Sequence, residues 1–265
     1  PVRVFQFLSY LTRYQSGLSV SLGIMRAWHR NAALPTLCKN NLRHMIIAEN
    51  LGKKYHNRAG TPHWVLQNVS FVIPPTVNVG IIGRNGAGKS TLLRIIGGTD
   101  RPSRGKLERK CRVSWPVGFG GGLQGSLTGR QNAKFVCRIQ GREHDAEAIM
   151  EKMQDFAEIG EAFDEPVRAY SSGMKARLQF AMSLAFDFDV YISDEVTAVG
   201  DSLFQKKALS HFKSLVGKAG LIMVSHSEST LKEFCEAGIL LNNGEAEWYD
   251  KIDDSLVAYN ESLKA

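Results

Sequence analysis

Two stretches of this chain gather residue types suited to handling phosphate. The first is Gly83-Arg84-Asn85-Gly86-Ala87-Gly88-Lys89-Ser90-Thr91, which fits the spacing G-x-x-x-x-G-K-[ST] at every position. Its glycines let the backbone curl so that several N–H groups point inward at phosphate oxygens. A helix opening near Gly88 adds the positive end of its dipole. Lys89 reaches the β- and γ-phosphates, and the Ser90 hydroxyl can ligand Mg2+. The second stretch is Val190-Tyr191-Ile192-Ser193-Asp194-Glu195, an apolar run ending in two acids. Adjacent acids at a strand end are often no more than solvated. Beside a phosphate loop they read differently: Asp194 holds Mg2+, directly or through water, and Glu195 polarises the attacking water. His226 follows Leu221-Ile222-Met223-Val224-Ser225. Alone it would be a hydrogen-bonded structural histidine; in this constellation it stands where a γ-phosphate sensor is expected.

Such groups need a scaffold that aims them at one point. The pattern from Met45 onward mixes strand and helix. Short β-branched or apolar runs predict strands over 46–48, 65–73, 79–82, 190–193 and 221–225. Helices are predicted over 90–96, 145–160 and 172–186, the second with Ile149, Met153, Phe156 and Ile159 on one face. Strand 79–82, the glycine loop and helix 90–96 come in the order that a phosphate-binding loop requires. The late strands are each followed at once by polar residues, as in an open α/β sheet that binds ligands at its carboxyl edge. Gly118 to Gly129 holds six glycines in twelve residues and reads as a loop.

Composition narrows the function classes. The net charge of +7 over 265 residues suggests nucleic acid until it is located. Six basic residues (Arg3, Arg13, Arg26, Arg30, Lys39, Arg43) and no acid lie in residues 1–44, leaving 27 basic and 26 acidic residues beyond. The main domain thus has no charge bias that would favour nucleic acid. Residues 1–44 form a basic N-terminal extension: a transit-type peptide, an interfacial amphipathic helix, or a stretch outside the functional domain, with Met45 a natural start and the domain at 45–265. The last reading is favoured. Cys38, Cys111, Cys137 and Cys235 are scattered without metal-ligand spacing and read as thiols in a reducing compartment. No apolar run approaches the ~18–20 residues of a membrane helix, so any transport would need a pore from another chain.

Tyr170-Ser171-Ser172-Gly173-Met174 opens a predicted helix just before the acid-bearing strand, and it resembles the ABC signature L-S-G-G-Q. Tyr55, in Gly52-Lys53-Lys54-Tyr55, matches the family's adenine-stacking aromatic, and Ala198-Val199-Gly200-Asp201 matches its D-loop. The chain therefore resembles the ABC ATPases over about 45–241. The resemblance implies an α/β fold: a P-loop NTPase of ABC ATPase type, with a mixed sheet core and a helical subdomain carrying the signature. It implies ATP and Mg2+ as cofactors and a head-to-tail homodimer, in which Ser171 and Gly173 meet the nucleotide held by the other chain's loop. Asp194-Glu195-Val196-Thr197-Ala198-Val199-Gly200-Asp201 looks like the ATPases that export long polymers. Ser114-Trp115-Pro116-Val117-Gly118 with Gly122-Leu123-Gln124-Gly125-Ser126-Leu127-Thr128-Gly129-Arg130 looks like the capsular polysaccharide exporters in particular, with an O-antigen or teichoic acid exporter as the alternative. That group implies an integral membrane permease as partner, a polysaccharide as cargo, and a peripheral place on the cytoplasmic face of the bacterial inner membrane. There are departures. Ser172 replaces a signature glycine, Met174 replaces its glutamine, and Gln124 is only the nearest candidate for the metal-region glutamine of the Q-loop. An ABC protein acting mechanically on nucleic acid is the alternative of another class, and a small-molecule kinase explains neither the signature nor His226.

Overall fold

The described chain starts in a strand whose first apolar residues, Ile46, Ile47, Ala48 and Leu51, are all buried. The structure is a computed structural model that describes residues 46–56, 60–74, 76–117, 122–194, 202–215 and 217–264. β1 (Ile46–His56) and β2 (Pro62–Ile73) pair antiparallel, with Ile46 opposite Ile73 and Tyr55 opposite His63. β4 (Arg104–Arg109) flanks β1 on its other side and completes a three-stranded sheet. A second, six-stranded sheet holds β3 (Val79–Ile82), β5 (Val113–Val117), β6 (Val190–Asp194), β7 (Gly220–Val224), β8 (Ala237–Asn242) and β9 (Glu245–Tyr249). Its order is β5-β6-β7-β3-β8-β9, and only β9 runs antiparallel to its neighbour. β3 and β7 are buried along their whole length, as apolar runs covered on both faces must be. The β8–β9 hairpin turns on Asn243-Gly244, with φ of 49° and 81°, which only such residues adopt cheaply.

Seven helices follow among the described residues: α1 (Lys89–Ile96), α2 (Gly129–Ile139), α3 (Ala146–Ala157), α4 (Ser172–Leu184), α5 (Ser202–Leu215), α6 (Glu228–Phe234) and α7 (Ile252–Ser262). One core joins the two sheets through α1, with Leu66, Phe71, Ile81, Leu92, Ile95 and Ile222 packed together. The other core packs α2 to α7 against the six-stranded sheet, with Phe163, Phe180, Phe204 and Phe212 beside Tyr191, Leu221 and Met223. Phe180 stacks on Phe156 at 6.0 Å and meets Phe204 edge-on at 5.7 Å, so α4 is locked between α3 and α5. This is the expected mixed sheet with a helical layer that carries 171–174. No helix among the described residues is long and apolar enough to cross a membrane. The extension 1–44, with Cys38, lies outside the described residues.

Two expectations change in detail. The glycine-rich stretch 118–129 does not stay a loop to its end, because Gly129 is the first residue of α2. Thr128 and Gln131 form a reciprocal cap: Thr128 Oγ1 accepts from Gln131 N at 3.1 Å, and Gln131 Oε1 accepts from Thr128 N at 3.0 Å. The helix expected over 145–160 ends instead at Ala157, where Glu158 turns left-handed at φ 52°. Lys207 of α5 holds that turn, donating to Glu158 Oε1 at 2.6 Å and to Phe156 O at 3.0 Å. Met150 and Ala157, rather than Ile159, complete the buried face of α3.

Asn132 pins the segment that carries Gln124. It is 3% exposed, its Nδ2 donates to Thr128 O at 2.8 Å and Gln124 O at 3.2 Å, and its Oδ1 accepts from Gln124 N at 2.8 Å. Removing that side chain strands several main-chain partners. Asn132→Ala is expected to lose about 1–3 kcal/mol of stability, read as a lower urea midpoint; an unchanged midpoint contradicts the pinning.

Candidate nucleotide site

Strand register brings the chemistry to one edge. Asp194 on β6 lies beside Val224 on β7, which lies beside Ile81 on β3. These three residues form a row across three parallel strands at their carboxyl ends. The phosphate loop begins two residues beyond Ile81, and His226 stands two residues beyond Val224. The row therefore gathers Asp194, His226 and Gly83, which are far apart in sequence.

The loop is shaped for an anion. Gly86 and Gly88 have φ of 83° and 99°, in the left-handed region. A Cβ at Gly88 would also meet Leu66 Cδ2 at 2.8 Å and Val65 Cγ1 at 3.0 Å, so β2 presses on the loop from outside. Gly88 caps α1 without any side chain, and the first turn carries no acid. The helix N-terminus therefore keeps its positive end for a ligand. Lys89 folds back over the loop, donating to Gly83 O at 2.7 Å and to Arg84 O at 3.1 Å. Arg84, Asn85 and Ser90 are exposed, while Ala87 packs partly against the core. Thr91 is buried, and its hydroxyl accepts from Arg94 Nη2 at 3.4 Å, so what it offers a phosphate is its main chain. At the other end of α1, Arg109 Nη1 donates to Ile95 O at 3.1 Å and Ile96 O at 3.3 Å, covering the negative end of the dipole.

The remaining candidates fall in three places. Asp194 is half-buried at the end of β6; Glu195 and the segment 198–201 lie outside the described residues. His226 is exposed in the short turn before α6, which Ser227 opens by accepting from Thr230 N at 3.3 Å. Gln124 is exposed in the helical layer, its Nε2 donating to Ser126 Oγ at 3.3 Å. Ser171 caps α4, accepting from Met174 N at 3.1 Å, and a Cβ at Gly173 would meet only that hydroxyl, at 3.9 Å. The signature thus presents an open helix end on the helical layer. Tyr55 is 38% exposed on β1, and its hydroxyl donates to Asp100 Oδ2 at 2.8 Å.

An Mg2+ ion fits this donor set. Asp194 and Ser90 offer the hard oxygens that such an ion takes, and phosphate oxygens and water would complete its shell. Sequence reasoning did not single out Asp100, Arg109 or Asn132. Asp100 lies 45 residues from Tyr55, and no local spacing signals that contact.

Comparison with known proteins agrees with this geometry. Residues 66–198 match the family model described as ABC transporter. The chain is 47% identical to the polysialic acid transport ATP-binding protein of Escherichia coli, over 83% of this chain and 100% of that protein. It is 43% identical to the capsule polysaccharide export ATP-binding protein of Neisseria meningitidis, over 82% and 99%. In fold it resembles a dimeric ATP-binding cassette solved with ADP and phosphate, at a TM-score of 0.65 and 23% identity, over 78% of this chain and 98% of that one. The family match over residues 66–198, together with 43–47% identity over nearly the whole length of these two ATP-binding proteins, makes this chain a member of the ABC transporter family and an ATP-hydrolysing one.

Proposed function

We propose that this chain powers export of capsular polysaccharide across the bacterial inner membrane. It works as a homodimer at the cytoplasmic face, on a separate integral membrane permease that supplies the path. The observation that carries the reading is the separation of two helix N-termini within one chain: α1, entered from the glycine loop after β3, and α4, capped by Ser171 and packed between α3 and α5. A second copy, packed head to tail, brings Ser171 and Gly173 to the nucleotide on the first copy's loop. Full-length similarity to capsule and polysialic acid ATP-binding proteins supports the cargo class.

The roles follow from the site. Tyr55 stacks on adenine, and residues 83–91 wrap the phosphates. Lys89 exchanges its carbonyl partners for β- and γ-phosphate oxygens. Asp194 and Ser90 would hold Mg2+, with Gln124 approaching the same region from the helical layer. When bound, the ion draws charge from the β- and γ-phosphate oxygens. Glu195 takes a proton from the water that attacks the γ-phosphorus, and ADP leaves. His226 contacts the γ-phosphate and senses its loss.

Glu195→Gln separates binding from chemistry, since the loop and Asp194 remain. The variant is expected to form an ATP-dependent dimer on size exclusion, with hydrolysis lowered about 100-fold or more. In cells lacking the native chain, the parent should restore surface polysaccharide and the variant should not. Surface polysaccharide restored by a variant that cannot hydrolyse ATP rules out the export role. A monomeric variant that hydrolyses at the parent rate rules out Glu195 as base.

A further inference from the structure

The base end and the phosphate end of the site belong to different sheets. Tyr55 is on β1 in the three-stranded sheet, whereas the phosphate loop leaves β3 in the six-stranded sheet and enters α1. One carboxylate bridges them. Asp100 follows α1 closely, and its main-chain N–H donates to Arg94 O at 3.1 Å, beside Thr99 N on the same carbonyl at 3.0 Å. Its side chain reaches β1: Oδ1 accepts from Lys53 Nζ at 2.6 Å, and Oδ2 accepts from the Tyr55 hydroxyl at 2.8 Å. Lys53 also donates to Arg101 O at 2.8 Å, and its Nζ stands 5.0 Å over the Tyr55 ring. Two main-chain links reinforce the bridge, Ser103 N to Gly52 O at 2.7 Å and Lys54 N to Ser103 Oγ at 3.1 Å.

The pair is held rather than solvated, with side-chain exposures of 12% for Lys53 and 24% for Asp100. Burial pushes the Asp100 carboxyl up, but the hydrogen bonds from Lys53, Tyr55 and Arg101 N, with the charge of Lys53, together outweigh it and hold the group below the usual carboxylate range. Both oxygens therefore stay acceptors at neutral pH. The Tyr55 ring has its hydroxyl tied and a cation over one face, and the residue keeps 38% of its surface exposed, as a flat ligand would need. Its orientation is set before any ligand arrives.

We propose that Asp100, seated by Lys53, is a positioning residue for the nucleotide: it fixes the Tyr55 ring as the adenine platform and ties that platform to α1, so that base and triphosphate are bound in one register. The inference rests on the reading of Tyr55 as the adenine contact. Freezing one aromatic side chain in advance spares its ordering cost at binding, which corresponds to about two- to tenfold in affinity.

The test compares ATP with tripolyphosphate, which has the charge but no base, on the full chain with Mg2+. Tyr55→Phe and Asp100→Ala are each expected to raise the ATP Kd by about two- to tenfold and to leave the tripolyphosphate Kd unchanged. The loss should fall on KM rather than kcat. The double variant should be no weaker than Asp100→Ala alone, because both changes break one link. Tyr55→Leu separates the two layers of the argument. If it weakens ATP binding while Asp100→Ala does not, the positioning role is overturned and the adenine reading stands. If Tyr55→Leu leaves ATP binding unchanged, both fall. If Asp100→Ala weakens ATP and tripolyphosphate equally, Asp100 merely supports α1 and the proposal is overturned.

Discussion

Lys89→Ala is expected to abolish measurable ATP hydrolysis, a fall in kcat of about 100-fold or more, and to weaken ATP binding as well. The ammonium folds over the mouth of its own loop, on Gly83 O and Arg84 O. Those carbonyls are weaker partners than phosphate oxygens, so ATP binding draws the cation to the triphosphate. As charge moves onto the phosphoryl oxygens during transfer, the interaction strengthens, which is why kcat should suffer beyond Kd. The fold should be spared. The two carbonyl hydrogen bonds contribute about 1 kcal/mol each, so the melting temperature should move by only a few degrees. Phosphate release and calorimetric titration with ATP check this, and unchanged turnover would remove the loop from the active site.

Gly173→Asp is the second large effect, and it addresses the dimer. A side chain here has room, since a Cβ would meet only Ser171 Oγ at 3.9 Å. The variant should fold and bind ATP as a monomer, because Lys89, Ser90 and Tyr55 are untouched. In the closed dimer the new carboxylate would stand at a helix N-terminus facing the other chain's γ-phosphate. With water excluded, that repulsion is poorly screened. Hydrolysis should fall by about 100-fold or more, as for the loss of other transition-state contacts, and export should stop. Cysteines at Ser171 and at Ala87 should then crosslink between chains of the parent when ATP closes the dimer. A disulfide found only within one chain contradicts the head-to-tail arrangement. So does a Gly173→Asp variant that hydrolyses at the parent rate.

The sequence by itself determined the parts whose geometry is local. Residues 83–91 curl into a loop because the glycine positions and the following helix leave the backbone few other shapes, and Gly86 and Gly88 take the left-handed φ of 83° and 99° that such a curl needs. The helix opening at residue 172 was equally legible; that Ser171 caps it, accepting from Met174 N three residues on, is a finding of the structure. The strands expected at 79–82, 190–193 and 221–225 were visible as apolar runs, and they form at 79–82, 190–194 and 220–224. Their mutual register was not. Whether Asp194 lies level with Val224 and Ile81 depends on how three strands slide past one another, and that is decided by packing against α1 and the helical layer. The end of α3 escaped for a related reason. Ile159 continues the apolar spacing, but Lys207 of α5, 49 residues away, draws Glu158 out of the helix. Asp100 escaped most completely. An aspartate after a helix is an ordinary loop residue in sequence, and only the closing of the three-stranded sheet over α1 brings it to Tyr55. Residue types at fixed short spacing dictate which groups can bind phosphate; tertiary packing dictates which distant groups stand beside them, because a contact across two sheets has no sequence period to announce it.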